Sequence, residues 1–289
     1  PIGGSAVASV ALRLSLALPF SHPALIPDAG TSLRASITMR LSARVTALLL
    51  LSLTLLGGCV STPKSRPFNA AAHADLKQIE VLPMRPTELD VLIVNNPGHS
   101  FGLIGALVAE SHLATRRSWL REQVEAKQFD HVETFRSAFA EAMEREGYVL
   151  SWPNGNVEAG KPKVARNMWG IRKSYPGPSE SAAQALLDVN FGFVGLASAG
   201  SSDGAPYRPT VILTARLMDA SGKTELFQEV ITHNNVFPNT GATVQVSPDP
   251  THAYPDFDAL KAAGTAPVDG LEQAFRRVAE RLAQLLSRA

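Results

Sequence analysis

The sequence predicts an α/β protein with a mixed sheet of about five strands and helices packed on it. Three patterns carry that expectation. Residues 78–84 (QIEVLPM) and 148–152 (YVLSW) are short apolar runs on either side of a strongly amphipathic stretch, the order of a β-α-β unit. Residues 187–196 (LDVNFGFVGL) alternate with period two, which places Leu187, Val189, Phe191 and Phe193 on one face of a half-buried strand. Residues 211–219 and 225–233 then flank Ala220-Ser221-Gly222-Lys223, a hairpin signal, ahead of a closing helical segment.

The chain has 289 residues, and its segments have different expected fates. Residues 1–38 begin with Pro1, contain no lysine, and read as an over-extended gene start without function. The alternative is a longer signal that includes residues 6–20, a stretch interrupted by Arg13. Met39 opens MRLSARVTALLLLSLTLLGGC, in which Arg40 and Arg44 form a short positive head before an apolar run of 12 residues at 45–56. That is the pattern of an export signal over residues 39–58. A helix needs roughly 20 apolar residues to span a bilayer, so this run is too short for a lasting anchor.

The run ends in Leu56-Gly57-Gly58-Cys59, and Cys59 is the chain's one cysteine. This resembles the bacterial lipobox, in which a leucine and two small residues precede the cysteine that is acylated and becomes the new terminus. The resemblance implies lipidation at Cys59, attachment to a membrane through acyl chains, and, with Val60 rather than aspartate following, the periplasmic face of the outer membrane. A lone cysteine forms no internal disulfide, so the compartment is read from this segment alone.

Residues before Cys59 carry a net charge of +3, which leaves −2 for the remainder of a chain whose total is +1. No broad basic field remains for nucleic acid, and nucleic-acid binding is discounted. Residues 59–76 are polar, small and proline-containing, as expected of a flexible tether, and residues 77–289 are expected to form one periplasmic domain.

Within that domain, residues 90–94 (DVLIV) predict a second strand or a continuation of the first. Residues 95–98 signal a turn, and residues 101–109 and 119–126 have helical composition. At 130–146, Val132, Phe135, Phe139, Ala142 and Met143 recur at helical spacing, and Gly147 is a natural stop. Residues 160–178, rich in Lys, Pro and Gly, predict an irregular excursion, and residues 238–255 a second proline-containing one. Residues 179–186 fit a short helix capped by Ser179. Residues 268–286 place Leu271, Phe275, Val278, Leu282 and Leu285 on one stripe of a last helix.

The sequence of EVLPM, a helix ending AMEREGYVL, an alternating strand, ILTARLMDASGKTELF and a final helix resembles the periplasmic TolB N-terminal-like domains, also found in curli-assembly lipoproteins and in lipoprotein regulators of cell-wall synthases. The resemblance implies a non-catalytic envelope module that binds another protein.

Gly98-His99-Ser100-Phe101-Gly102 matches G-x-S-x-G between an expected strand and an expected helix, the setting of a hydrolase nucleophile. In that alternative Ser100 attacks, Asp219 or Asp188 orients, and His233 or His252 is the base. Too few residues precede the motif for the strands that such a fold places before it, and a loop with Ser100 capping the next helix is the plainer reading. The seven histidines show no metal-ligand spacing, and neither a metal nor a cofactor is expected. Phe101, Leu103, Ile104 and Leu107 form an apolar patch that is a partner surface if exposed and core if not. The expected function is therefore an accessory or assembly lipoprotein that binds an envelope protein, with a serine hydrolase or a small-ligand binder near residues 95–100 as alternatives. Oligomeric state is not legible from the sequence.

Overall fold

The structure, a computed structural model, describes residues 63–96, 102–160, 164–179, 182–201, 204–237 and 243–287, with side chains left undescribed at 102–109. The lipobox residues Leu56, Gly57, Gly58 and Cys59, together with Ser100 and Phe101, lie outside the described residues, as do the side chains of Leu103, Ile104 and Leu107.

The fold is α/β with a mixed sheet of seven strands, two more than expected. The strands are β1 (Gln78–Val81), β2 (Asp90–Asn95), β3 (Val149–Ser151), β4 (Ala185–Gly200), β5 (Arg208–Asp219), β6 (Glu225–His233) and β7 (Val244–Val246). Among the described residues four α-helices accompany them: α1 (Gly102–Ala126), α2 (His131–Arg145), α3 (Phe257–Ala262) and α4 (Ala266–Leu285). Sheet order is β3-β1-β4-β5-β6-β7, and β2 also pairs with β4. The antiparallel β4-β5-β6 meander is flanked by parallel pairings at both sides.

β4 organises the sheet because it is 16 residues long and serves two strands on one edge. β1 pairs in parallel with residues 185–187 and β2 with residues 195–200. At the second junction a Cβ on Gly195 would stand 1.9 Å from the Asp90 carbonyl oxygen, and its φ is 144°, so only glycine lets β2 come this close.

One face of the sheet is covered by α2 and α4. Asp130 caps α2 by accepting from the Glu133 N–H at 3.0 Å, and Pro267 opens α4, where its missing N–H costs nothing. Their apolar stripes close over a ring cluster: Phe191 of β4 meets Phe135 at 5.3 Å and Phe275 at 5.3 Å, both edge to face. Tyr148 donates to the Leu286 carbonyl at 2.8 Å and ties the end of α4 to the start of β3. A second apolar cluster, with Val91, Leu120, Leu196 and Leu271, joins β2, α1, β4 and α4. Arg117 on α1 fastens to Asp90 at 2.6 Å. Among the described residues no helix is long and apolar enough to cross a membrane.

Four expectations change. The described residues among 179–186 form no helix: the Ser179 N–H donates to Glu80 at 2.6 Å, Gln184 bonds both Lys77 and Gln78, and β4 starts at Ala185 to pair with β1. Strand pairing outweighs a weak local preference. Secondly, Phe193 leaves the core face, since a bulge between Phe191 and Phe193 pairs Phe193 with Ile212, and its ring packs on Phe237 instead. Thirdly, β4 is buried on both faces rather than one. Lastly, the expected tether is docked at several of its described residues, 63–76. Arg66 and Gln228 exchange backbone hydrogen bonds at 2.8 and 2.9 Å, Ser65 donates to Glu229 at 2.5 Å, and Leu76 is buried. These contacts cover the outer edge of β6 where β7 does not reach.

Amide hydrogen exchange should therefore show slow exchange at Arg66 and Gln228, close to that of β5, and fast exchange at exposed Glu88. Exchange at Arg66 as fast as at Glu88 would rule out the docked arrangement.

Candidate functional site

The face of the sheet away from α2 and α4 carries polar side chains, and residues 156–160 and 164–179 lie over it. β4, β5 and β6 set Asp188, Arg216 and Gln228 directly opposite one another in one cross-strand row. The covering segment brings Glu158, Arg166, Arg172 and Tyr175 down onto this row. Arg166 reaches Glu158 at 2.5 Å and Asp188 at 3.3 Å, and Arg172 reaches the same two carboxylates at 2.8 and 3.7 Å. Asp188 has no solvent exposure and the two arginines are 7% exposed, so two cations and two anions neutralise each other out of water.

Further hydrogen bonds tie the cluster to backbone groups and to Tyr175. Asp188 accepts the Arg172 N–H at 2.8 Å and the Tyr175 hydroxyl at 3.1 Å. Arg166 donates to the Gly170 carbonyl at 2.6 Å, and Arg172 to the Pro83 carbonyl at 3.0 Å. Burial, reinforced by the Asp188 charge, pushes the Tyr175 hydroxyl well above its ordinary range and keeps it a donor. At the far end of the row Arg216 pairs with Glu225 at 3.0 Å and bonds Gln228, whose amide donates to the Lys64 carbonyl at 2.9 Å. The clamp thus links the excursion, the sheet and the docked N-terminal stretch. Beside it opens a cleft of about 290 Å³ lined by Glu80, Pro83, Glu158, Arg172 and Ser179. Glu158 Oε2 lies buried there without a hydrogen-bond partner.

The alternative catalytic residues are not brought together. Asp219 accepts from Ser221, from the Lys223 N–H and from the Thr224 N–H, and these bonds hold the β5–β6 turn and lower its carboxyl's affinity for protons. His233 pairs with Val211 at the other end of the hairpin, roughly 26 Å away at about 3.3 Å per residue. Its Nδ1 lies 3.0 Å from the Pro209 carbonyl oxygen, and burial pushes its pKa down to about 4. Asp188 is held by arginines, and His252 packs over Gly270. An Asp219-His233 pair behind Ser100 is therefore excluded by the strand register. Among the described residues no cluster of three His, Cys, Asp or Glu side chains could hold a metal ion. The clamp itself was missed in the sequence. Arg166, Arg172 and Glu158 sit in a stretch without periodicity, and the one local sign was an aspartate at an alternating strand position.

Removing one charge from the clamp strands another. Asp188→Asn should cost about 3–5 kcal/mol in chemical denaturation, whereas Glu133→Gln, which loses an exposed pair with Arg136, should cost under about 1 kcal/mol. Equal losses would deny the clamp its role. Histidine 233 supplies a pH dependence. Its folded pKa lies below the unfolded value near 6.5, so protons bind the unfolded chain more tightly. Its contribution is complete above pH 6.5 and is lost as pH falls toward 4, by about 3 kcal/mol over that window. His233→Gln should flatten the urea-midpoint profile between pH 7 and 4.5, and an unchanged slope would contradict the buried neutral ring.

No family model and no curated protein matches this chain. The crystal structure of a neuraminyllactose-binding hemagglutinin homologue from Helicobacter pylori is similar over 78% of this chain and 90% of that one, at 12% identity and a TM-score of 0.25. So loose a superposition bears on neither fold nor function.

Proposed function

We propose that the chain is a lipid-anchored envelope protein that acts without catalysis, as an accessory or assembly factor that binds a protein partner. The sequence before Cys59 supports the anchor, and the outer membrane is the location that the lipobox resemblance suggests. One structural observation supports binding over chemistry: the acids and the histidine considered for catalysis each make contacts that hold the fold's shape. Asp188 is neutralised by two arginines and Glu158 accepts from both, Asp219 is used in a turn, and His233 is tied to a carbonyl. A domain that spends four buried charges to fix a surface excursion fits recognition by a preorganised surface.

Two measurements test this. Cells fed a labelled fatty acid should incorporate it into the chain, and Cys59→Ser should abolish the label and the processed form together. Cleavage after Gly58 with full membrane retention in that variant would mean some other attachment. A fluorophosphonate probe should leave Ser100 unlabelled, and covalent modification there would favour the serine-hydrolase reading.

A further inference from the structure

The excursion over the sheet ends in a tight turn that displays a methionine. Met168 is 69% exposed, one of two large hydrophobic side chains this open among the described residues; the other, Val149, sits alone on the edge strand β3. Trp169 follows it, half-buried.

This turn is rigid by construction. Asn167 Oδ1 accepts from the Trp169 and Ile171 N–H groups, both at 3.0 Å, and the Asn167 N–H donates to the Ile171 carbonyl at 2.8 Å. The Trp169 carbonyl is held from below by Asn190 at 3.0 Å. A Cβ on Gly170 would fall 2.1 Å from the same Asn190 amide, so the turn seats on the sheet only with glycine there. Arg166 and Arg172, which pair with each other across the arms, are the two cations of the buried clamp. An exposed apolar side chain on a fixed turn loses little conformational freedom when it is buried by a partner.

We propose that residues 167–170 form a protein-docking tip. Met168 enters an apolar pocket on an envelope protein, and acidic groups rim that pocket. The proposal rests on the partner-binding reading and adds the surface and its chemistry. Charge argues for the acidic rim. Residues 159–178 hold three lysines and two arginines and no acidic residue; Lys161 and Lys163 lie outside the described residues, the arginines are neutralised from below, and Lys173 is exposed beside the turn. Area argues against a bilayer as the occupant, because membrane binding scales with buried apolar surface and one methionine supplies little. A protein pocket can enclose a single protruding side chain completely, and methionine and tryptophan are enriched at such contacts.

The test uses the full-length chain in cells, with a photo-crosslinking phenylalanine analogue at position 168 or, as a control on the exposed side of α2, at Glu144. The expected result is a discrete protein adduct from position 168 and none from 144. The captured protein, purified, should then bind Met168→Asp at least tenfold more weakly than the unaltered chain. Asn167→Ala, which loosens the turn but keeps the methionine, should weaken it several-fold, and added salt should weaken all three. Equal binding by Met168→Asp overturns the proposal, as does an adduct at 168 with lipid or with a second copy of this chain. An adduct from 144 alone overturns the tip and leaves partner binding standing. No adduct at either position, with the chain folded and at normal abundance, overturns both.

Discussion

Asp188 stands near the start of the longest strand with no access to water, and the architecture of one whole side of the protein follows from keeping its charge there. A buried carboxylate without partners is too costly to keep ionised. Two arginines meet that need, and both come from a segment with little regular structure of its own. The covering segment is therefore held by charge pairing and backbone hydrogen bonds rather than by an apolar stripe. The opposite side follows the ordinary rule, in which two amphipathic helices bury aromatic rings against the sheet. One sheet thus has two covers built on different physics.

That difference explains what could be read in advance. The helix beginning at His131 was legible because Phe135, Phe139, Ala142 and Met143 follow a local period, and its end at Gly147 was equally local. The β5–β6 hairpin was legible for the same reason, through Asp219 and Gly222. The run from Leu187 to Leu196 gave a strand, yet its polar positions suggested solvent. What buries Asp188 and Asn190 is a segment whose residues show no spacing signal, and ion pairs between positions such as 166 and 188 leave no trace in a linear pattern. β7 was missed for a related reason: three residues inside a proline-containing stretch are set by the edge they join.

The proposed catalytic alternative shows how a motif and its context can separate. Gly98 to Gly102 satisfied a short pattern, and candidate partners existed elsewhere in the chain. Strand register settles the partners, since Val211 opposite His233 and Met218 opposite Glu225 leave a full strand length between histidine and aspartate. Composition offered Asp219 as an orienting acid, whereas in three dimensions it is turn chemistry.

The docked stretch around Arg66 also bears on how the molecule assembles. Ser65 and Glu229 are separated by 164 residues, as are Lys64 and Gln228. Contacts this distant along the chain form late, since closing so large a loop is slow until the intervening strands are in place. The first part of the domain to leave a ribosome is then the last to find its seat. Until it does, the N-terminal half of β6 keeps open backbone groups that a strand from another molecule could fill, and crowding of half-made chains favours that mispairing.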